Sequence, residues 1–225
     1  MCGRSSLTKT EKEIEKRFNA TFYRDELERY NPLPNYNVAP AQYHPVIINK
    51  DPGHLRFFKW GLIPFWAKEP KIGFSMINAR SETLTEKPAF KNAVKNKRCI
   101  VPMDGFYEWK NINGEKIPFR IQTTDQEIFS TAGLWEEWHA PDGSPVFTFT
   151  IITVDSNDFL RELHDRMPAI LTPEEEKLWL SDDIPLNNCL TLLHPYPSEK
   201  TKAYKVSKAV NNVRNNSPEL IEPEK

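Results

Sequence analysis

Apolar residues in this chain gather in short runs that are rich in β-branched and aromatic side chains and are bounded by turn residues. Such runs are typical of β-strands, which bury one or both faces in a sheet. Seven strands are predicted on this basis. They cover residues 46–48, 55–60, 98–101, 106–109, 119–122, 128–134 and 147–154.

Helix signals are fewer and lie mostly near the two ends of the chain. Thr8 with Glu11 three residues later has the form of a capping box, which predicts a helix with its apolar residues facing inward. A second helix is predicted over 173–180, with Thr172 as its N-cap and a proline in its first turn. Residues 187–193 form a third candidate.

Between the first helix and the first predicted strand, residues 31–40 read Asn-Pro-Leu-Pro-Asn-Tyr-Asn-Val-Ala-Pro. Prolines fix φ and remove backbone donors, so an extended loop is predicted there. Together these patterns indicate one β-rich α+β domain over residues 1–225. We expect a strongly bent sheet or barrel-like core with peripheral helices, followed by an acidic tail at about 216–225.

The composition supports one globular domain and excludes several classes of protein. The chain has 225 residues, of which 39% are hydrophobic and 27% charged, enough for one sizeable core. No membrane-length apolar run or signal peptide is present, so a cytoplasmic protein is expected, nucleoid-associated if bacterial. The three cysteines, Cys2, Cys99 and Cys189, have no metal-ligand spacing, so neither disulfides nor a metal or cofactor is expected.

Charge argues against a protein coated with cations, since the net charge is −1. One basic group repeats every fourth residue, which predicts a helix with its lysines outward and Phe90 and Val94 inward. A second group lies near the C-terminus. Solvated faces and polyanion contact both remain open for these groups, which comprise Lys87, Lys91 and Lys95 in the first and Lys200, Lys202, Lys205, Lys208 and Arg214 in the second.

Cys2 becomes the first residue whenever Met1 is removed, and it then offers two nucleophiles on adjacent carbons. The α-amine has a reference pKa of about 7.7–8.0 and the thiol one of about 8.5, so both titrate near physiological pH. Taken alone, a cysteine at this position can also be a chance residue. Other polar residues that lie within apolar segments favour a functional role for Cys2.

Three such segments carry polar residues suited to chemistry. They contain Asn78 and Arg80, then Glu108 between two aromatic residues, and then His164 before a predicted strand. Each also has a structural explanation. Glu108 could point outward from an edge strand, His164 could satisfy a buried backbone group, and Arg80 could pair with Glu82.

These segments together resemble the SRAP family, the SOS response-associated peptidases, also called abasic-site processing proteins. The resemblance covers about residues 2–195 and consists of blocks in family order. The blocks are Cys2-Gly3-Arg4, Tyr36-Asn37-Val38-Ala39-Pro40, Trp60-Gly61-Leu62-Ile63-Pro64 with Trp66, Asn78-Ala79-Arg80, Arg98-Cys99-Ile100-Val101-Pro102, Gly105-Phe106-Tyr107-Glu108-Trp109 and His164-Asp165-Arg166-Met167-Pro168.

The resemblance implies covalent capture of abasic sites in single-stranded DNA by Cys2, which would protect the lesion. The amine condenses with the aldehyde of the open sugar, and the thiol then closes a thiazolidine ring. Glu108 would move protons and His164 would open the sugar ring or reverse the crosslink. Asn78 would hold the sugar or the amine. Peptidase activity would remove Met1.

DNA recognition, on the same resemblance, divides between charge and stacking. Arginines would grip phosphates and exposed indoles would stack on bases, whereas Trp60 is expected in the core. Pro40 would form a wedge and Thr153 would contact a phosphate. The residues assigned to DNA are Arg4, Asn37, Pro40, Trp66, Arg80, Trp109, Thr153 and Arg166.

Three other functions are compatible with parts of the sequence. An N-terminal-nucleophile amidohydrolase would also begin with Cys2, but its usual His-Arg-Gly block is absent and Asn113-Gly114-Glu115 continues as Lys116-Ile117. A thiol peptidase would use Cys2 with Glu108 and His164. A DNA-binding module without chemistry would leave the position of Cys2 unexplained. Replication-fork partners and the oligomeric state are left open.

Overall fold

The computed structural model describes residues 2–224, and strands dominate it. Five helices of four to eight residues lie at the periphery: α1 (Glu11–Phe18), α2 (Arg24–Tyr30), α3 (Ala93–Asn96), α4 (Pro173–Leu180) and α5 (Leu186–Thr191). The strands are β1 (Ser5–Leu7), β2 (Thr21–Phe22), β3 (Asn35–Val38), β4 (Tyr43–Ile48), β5 (Asp51–Trp60), β6 (Asn78–Arg80), β7 (Arg98–Met103), β8 (Gly105–Ile112), β9 (Glu115–Thr123), β10 (Phe129–His139), β11 (Pro145–Asp155), β12 (Arg166–Pro168), β13 (Ile170–Leu171) and β14 (Thr201–Lys205).

Five long strands form a closed, barrel-like sheet. Antiparallel pairing runs β11–β10–β7–β4–β5, and a parallel contact between β5 and β11 closes the ring at Lys59–Thr148 and Trp60–Phe149. Closure removes the exposed edges that an open sheet would leave. Apolar side chains are buried on both faces of this sheet, with Phe58 and Phe149 on one face and Leu134 on the other. The predicted β-rich α+β domain with a barrel-like core is therefore confirmed.

A second sheet, in the order β14–β9–β8–β1–β3, carries the N-terminus. β1 pairs with β8 on one side, with Ser5 opposite Phe106, and with β3 on the other, with Ser5 opposite Val38. Because β1 is a central strand, the residues just before it are held by pairing on both sides. This arrangement brings the start of the chain to β8.

A buried ion pair holds β1 in this position. Asp104 lies between β7 and β8, and its Oδ1 accepts from Arg120 Nη2 at 2.9 Å and from Ser6 Oγ at 2.6 Å. Its Oδ2 accepts from the Thr8 backbone amide at 2.6 Å. Burial alone would lower the pKa of Arg120, but the Asp104 carboxylate, together with Tyr204 and Tyr107, leaves that pKa raised. Gly105 is needed here because a Cβ would come within 2.7 Å of the Arg120 guanidinium.

The predicted strands are all present and most are longer than predicted. Helix α4 matches its prediction, with Thr172 as N-cap and Glu175 completing the capping box. Helix α1 also forms and buries Ile14, but the predicted cap is wrong: Thr10 and Glu13 make the capping box, because Thr8 binds Asp104.

Two other local predictions need correction. Residues 31–40 are not entirely loop, since 35–38 form β3 against β1. The basic segment 87–96 is mostly turns, and only α3 is helical, although Phe90 and Val94 are buried as expected and the three lysines are exposed. Lys87 has no side-chain oxygen that could cap the free amides of a helix starting there, which is consistent with turns in place of a longer helix.

The acidic C-terminal segment packs on the second sheet. Leu220 is 2% exposed, Val206 pairs with Pro223, and Tyr204 Oη donates to the Ile221 carbonyl at 2.9 Å. Among residues 2–224, no helix has the length and apolar character needed to cross a lipid bilayer.

We predict that Asp104→Ala destabilises the protein by about 3–5 kcal/mol, because the Arg120 charge would stay buried without its partner. Urea unfolding followed by far-UV circular dichroism measures this change. The control is Glu127→Gln, which removes an ion pair with Lys9 whose carboxylate is 87% exposed, and it should change stability by less than about 0.5 kcal/mol. Equal effects of the two variants would contradict the anchoring role.

Candidate active site

Cys2 lies at the end of the β1–β8 ladder, beside Glu108. The Tyr107 amide donates to the Arg4 carbonyl at 2.9 Å, which continues the pairing beyond Ser5. Continued in the same register, Gly3 stands level with Glu108, and Cys2 follows. Burial raises the pKa of the Cys2 thiol well above its usual value, and the nearby Glu108 carboxylate raises it further. The thiol is therefore held protonated at neutral pH.

Glu108 is buried rather than exposed on an edge strand, with 5% of its surface accessible. It lies on β8 opposite Phe119 of β9. Burial raises the pKa of its carboxyl, and the charge of His164 acts in the opposite direction. A buried carboxyl with a raised pKa beside a histidine is a candidate acid–base group.

His164 stands two residues before β12, and its Nδ1 contacts the chain that follows it. Its Nδ1 lies 2.9 Å from the Arg166 backbone amide and 2.8 Å from Asp165 Oδ1. In the neutral ring Nδ1 accepts from the amide, which leaves the proton on Nε2; in the imidazolium Nδ1 donates to Asp165.

An open cleft of about 460 Å³ lies against these groups. Its lining residues are Glu108, Trp109, Lys116, His164 and Asn211. Glu108 and His164 thus line one cleft, and Cys2 is buried behind it, close to Glu108.

A second cluster forms where β6 and β12 meet β11. Ile151 stands opposite Asn78, while Thr153 stands opposite both Arg80 and Pro168. Asn78 Nδ2 donates to the Ile77 carbonyl at 3.0 Å, but its buried Oδ1 has no hydrogen-bond partner among residues 2–224. A buried acceptor left open in this way indicates a ligand donor. The His164–Arg166 segment connects this cluster to the cleft.

The arginines assigned to DNA have different surroundings. Arg80 is exposed. Arg166 is buried and bonds Glu82 at 2.8 Å and Asp155 at 2.5 Å. Burial alone would lower the pKa of Arg166, but these carboxylates leave it raised. Glu82 therefore pairs with Arg166, and the alternative Arg80–Glu82 pair is not formed.

Arg4 and Asn37 contact the C-terminal strap, which we define as residues 207–216. Arg4 Nη1 donates to Asn37 Oδ1 at 2.7 Å and to the Val210 carbonyl at 2.6 Å. Asn37 is 1% exposed and its Nδ2 donates to strap carbonyls, including that of Asn215 at 2.9 Å. The strap in turn holds Trp109, whose Nε1 donates to Asn211 Oδ1 at 2.7 Å.

Other residues assigned to DNA lie outside the cleft lining. Pro40 follows β3 at the turn into β4, where Ala41 has φ of 68°. Trp66 is 48% exposed in the loop after β5, beside Phe65 at 56%. Thr153 is 1% exposed and so is largely packed. Trp60 is in the core, as expected, at 2%.

The C-terminal basic group is largely neutralised by ion pairs. Lys200 pairs with Asp125 at 3.0 Å and Lys205 with Glu224 at 2.9 Å, while Lys208 pairs with Glu115. Cys99 and Cys189 are buried free thiols, and within residues 2–224 no three potential metal ligands gather.

Two cleft residues, Lys116 and Asn211, were not predicted from the sequence. Asn113 and Gly114 form the tight turn between β8 and β9, with φ of 52° and 87°. Asn-Gly between two strands is a strong hairpin signal, and it would have placed Lys116 beside the strand that carries Glu108. Asn211 has no comparable local signal.

We predict that Glu108→Gln speeds alkylation of Cys2, because it removes the carboxylate that helps keep the thiol protonated. The rate should rise about tenfold for each pKa unit removed. Iodoacetamide labelling followed by peptide mass spectrometry measures it. Cys99 is the internal control, since burial alone raises the pKa of its thiol. A parallel increase at both cysteines would indicate loosened packing instead.

The chain matches a family model described as SOS response associated peptidase (SRAP) over residues 1–213. Over 225 residues it is 48% identical to the abasic site processing protein YoqW of Bacillus subtilis, covering 99% of each chain. It is 36% identical to the abasic site processing protein HMCES of Xenopus tropicalis, covering 98% of this chain and 78% of that one. A crystal structure of a protein from Bacteroides thetaiotaomicron superposes with a TM-score of 0.92 at 31% identity over all of both chains. The chain therefore belongs to the SRAP family.

Proposed function

We propose that this protein captures abasic sites in single-stranded DNA through a covalent bond to Cys2, after Met1 has been removed. Met1 lies outside the described residues, so its removal is part of the proposal. The observation that carries it is the placement of the buried Cys2 beside Glu108, which lines an open cleft together with His164. The relatives named as abasic site processing proteins support the same substrate.

The α-amine acts first, because the Cys2 thiol is held protonated by burial. His164 donates a proton to the sugar ring oxygen as the bond between that oxygen and C1′ breaks, and the C1′ hydroxyl gives up its proton to solvent and becomes the aldehyde oxygen. The amine adds to the aldehyde carbon, and loss of water leaves an imine. Glu108 accepts the proton that the amine gives up and returns one to the departing hydroxyl.

The thiol acts second and closes the ring. Its sulfur adds to the imine carbon as its proton passes to Glu108, and the imine nitrogen takes up a proton. The product is a five-membered thiazolidine, with no redox partner needed. Reversal would follow the same steps backwards. We assign the peptidase activity in the family name to removal of the protein's own Met1.

Recognition of the DNA backbone is best supported at Arg4. Its half-buried guanidinium has no carboxylate partner among residues 2–224, and its Nε has no hydrogen-bond partner there. Burial lowers the pKa of Arg4, which is the direction expected for a cation that lacks a counter-ion. A phosphate beside the lesion would supply the missing negative charge. Arg166 already pairs with two carboxylates, so a phosphate would stabilise its charge less than that of Arg4.

Asn78 and the surrounding residues complete the proposed site. The open Oδ1 of Asn78 would accept from the sugar or from the α-amine. Exposed Arg80 and Trp66 would contact the strand outside the cleft, and Trp109 would stack at its wall. Asn37, Pro40 and Thr153 are proposed to shape the path of the strand rather than to react with it.

We expect the parent protein, with Cys2 confirmed as its first residue by mass spectrometry, to give a shifted band with an oligonucleotide that carries one abasic site. Denaturing gel electrophoresis measures the shift. Cys2→Ala should abolish it, and so should one additional residue before Cys2, which places the amine in a peptide bond. Far-UV circular dichroism of both variants controls for folding. Absence of a band with free Cys2 would refute the proposal.

The capture rate should fall as pH is lowered through the pKa of Glu108, because the reaction needs its carboxylate as base. Since that pKa is raised by burial, the fall should begin at a higher pH than an ordinary glutamate would give. Single-turnover rates between pH 4 and pH 8 measure this limb. Glu108→Gln should be slower by about 10²-fold and should lack the limb; an unchanged limb in that variant would assign it to another group.

A further inference from the structure

One wall of the cleft carries a cation that the capture chemistry leaves unused. Lys116 lines the same open cleft of about 460 Å³ as Glu108 and His164. Its side chain is exposed to solvent, and no carboxylate within residues 2–224 pairs with it. In the proposed reaction Glu108 and His164 carry out the proton transfers. The presence of Lys116 in the cleft lining therefore needs a different explanation.

The β8–β9 hairpin fixes where Lys116 stands. Asn111 pairs with Lys116, and Trp109 pairs with Pro118. Side chains two residues apart on a strand share a face, so Lys116 and Trp109 project from the same side of the hairpin. As diagonal neighbours their Cα atoms are about 7–8 Å apart. The flexible lysine side chain can therefore reach over the indole and into the cleft.

The neighbouring lysines differ from Lys116 because they have carboxylate partners. Lys208, on the strap, pairs with Glu115, the residue next to Lys116. Lys110 lies 3.5 Å from Glu162. Glu115 projects from the opposite face of β9, which leaves Lys116 without it. At this end of the hairpin the uncompensated positive charge thus belongs to a residue that lines the cleft, on the Trp109 face of the hairpin rather than on the Glu108 face.

We propose that Lys116 binds a backbone phosphate of the nucleotide that flanks the captured sugar, and so forms a phosphate subsite of the cleft. The inference rests on the proposed function, because that function places an abasic sugar against Cys2. The sugar carries phosphates on its 3′ and 5′ oxygens, and one of them must leave the cleft past its rim. An ammonium on a flexible stem is suited to a phosphate whose position shifts between the open sugar, the imine and the ring.

The wall beside this subsite is rigid. The Trp109 indole is fixed by its hydrogen bond to Asn211, and the Arg4 guanidinium lies 5.8 Å from its ring centroid. The strap that carries Asn211 is held in turn by Arg4 and Asn37. A fixed indole next to a mobile ammonium offers stacking for a base and charge for the phosphate attached to it.

The first test combines Lys116→Gln with oligonucleotides in which one phosphate next to the abasic site is a neutral methylphosphonate. One such substitution should slow capture by the parent about fivefold, and Lys116→Gln should be slower by a similar factor on the natural backbone. The two changes together should cost no more than either alone. Additive losses at every phosphate, or capture by Lys116→Gln at the parent rate, would overturn the proposal.

The matched control is Lys208→Gln, which removes a neighbouring lysine that is already paired with Glu115. Fluorescence anisotropy with the Cys2→Ala protein measures non-covalent binding at several salt concentrations. Lys116→Gln should reduce the salt slope by about 0.7, the value for one phosphate of a single strand, and Lys208→Gln should leave it unchanged. If adding Lys116→Gln to the Cys2→Ala protein left its salt slope unchanged, the subsite would also be refuted. Failure of the proposed function is distinct, because the parent would then form no covalent product.

Discussion

The buried pairing of Asp104 with Arg120 is the interaction on which the rest of the site depends. Two charges removed from water are costly unless their remaining hydrogen-bonding capacity is met, and here Ser6, Thr8 and Arg120 all donate to one carboxylate. Chain termini usually fray, because few contacts hold them. This network instead fixes β1 between β8 and β3, and the nucleophile lies only three residues before β1.

Fixing the start of the chain has a chemical consequence as well as a structural one. Cys2 is delivered to a place where burial and Glu108 both raise the pKa of its thiol. A free cysteine exposed at a frayed terminus would react through sulfur with many electrophiles. In the proposed reaction the thiol stays protonated until the amine has formed an imine beside it. The same burial raises the pKa of Glu108, so the group that must take the thiol proton becomes a stronger base.

The two ends of the chain meet at the cleft, and they do so through backbone carbonyls. Arg4 and Asn37 bind the strap at Val210, Asn212 and Asn215 through carbonyl oxygens. Arg4 thereby obtains hydrogen bonds without losing its charge to a carboxylate. Arg166, which has Glu82 and Asp155, is held as firmly but is electrically neutralised. The surroundings of the two arginines thus separate a cation available for phosphate from one that mainly joins β12 to its neighbours.

These contacts also explain which features the sequence could predict. Strands, α4 and the grouping of Cys2, Glu108 and His164 follow from local patterns or from ordered family blocks, and both kinds of signal are carried by the residues themselves. The cap of α1 was misplaced because Thr8 satisfies Asp104, 96 residues away, and such a long-range partner leaves no local mark. The position of the strap is harder still to predict. Every residue has a backbone carbonyl, so the sequence does not indicate which carbonyls accept hydrogen bonds from Arg4 and Asn37. Lys116 is partly predictable. The Asn113-Gly114 turn indicates its register opposite β8, but only the folded structure shows which of several lysines lacks a carboxylate partner.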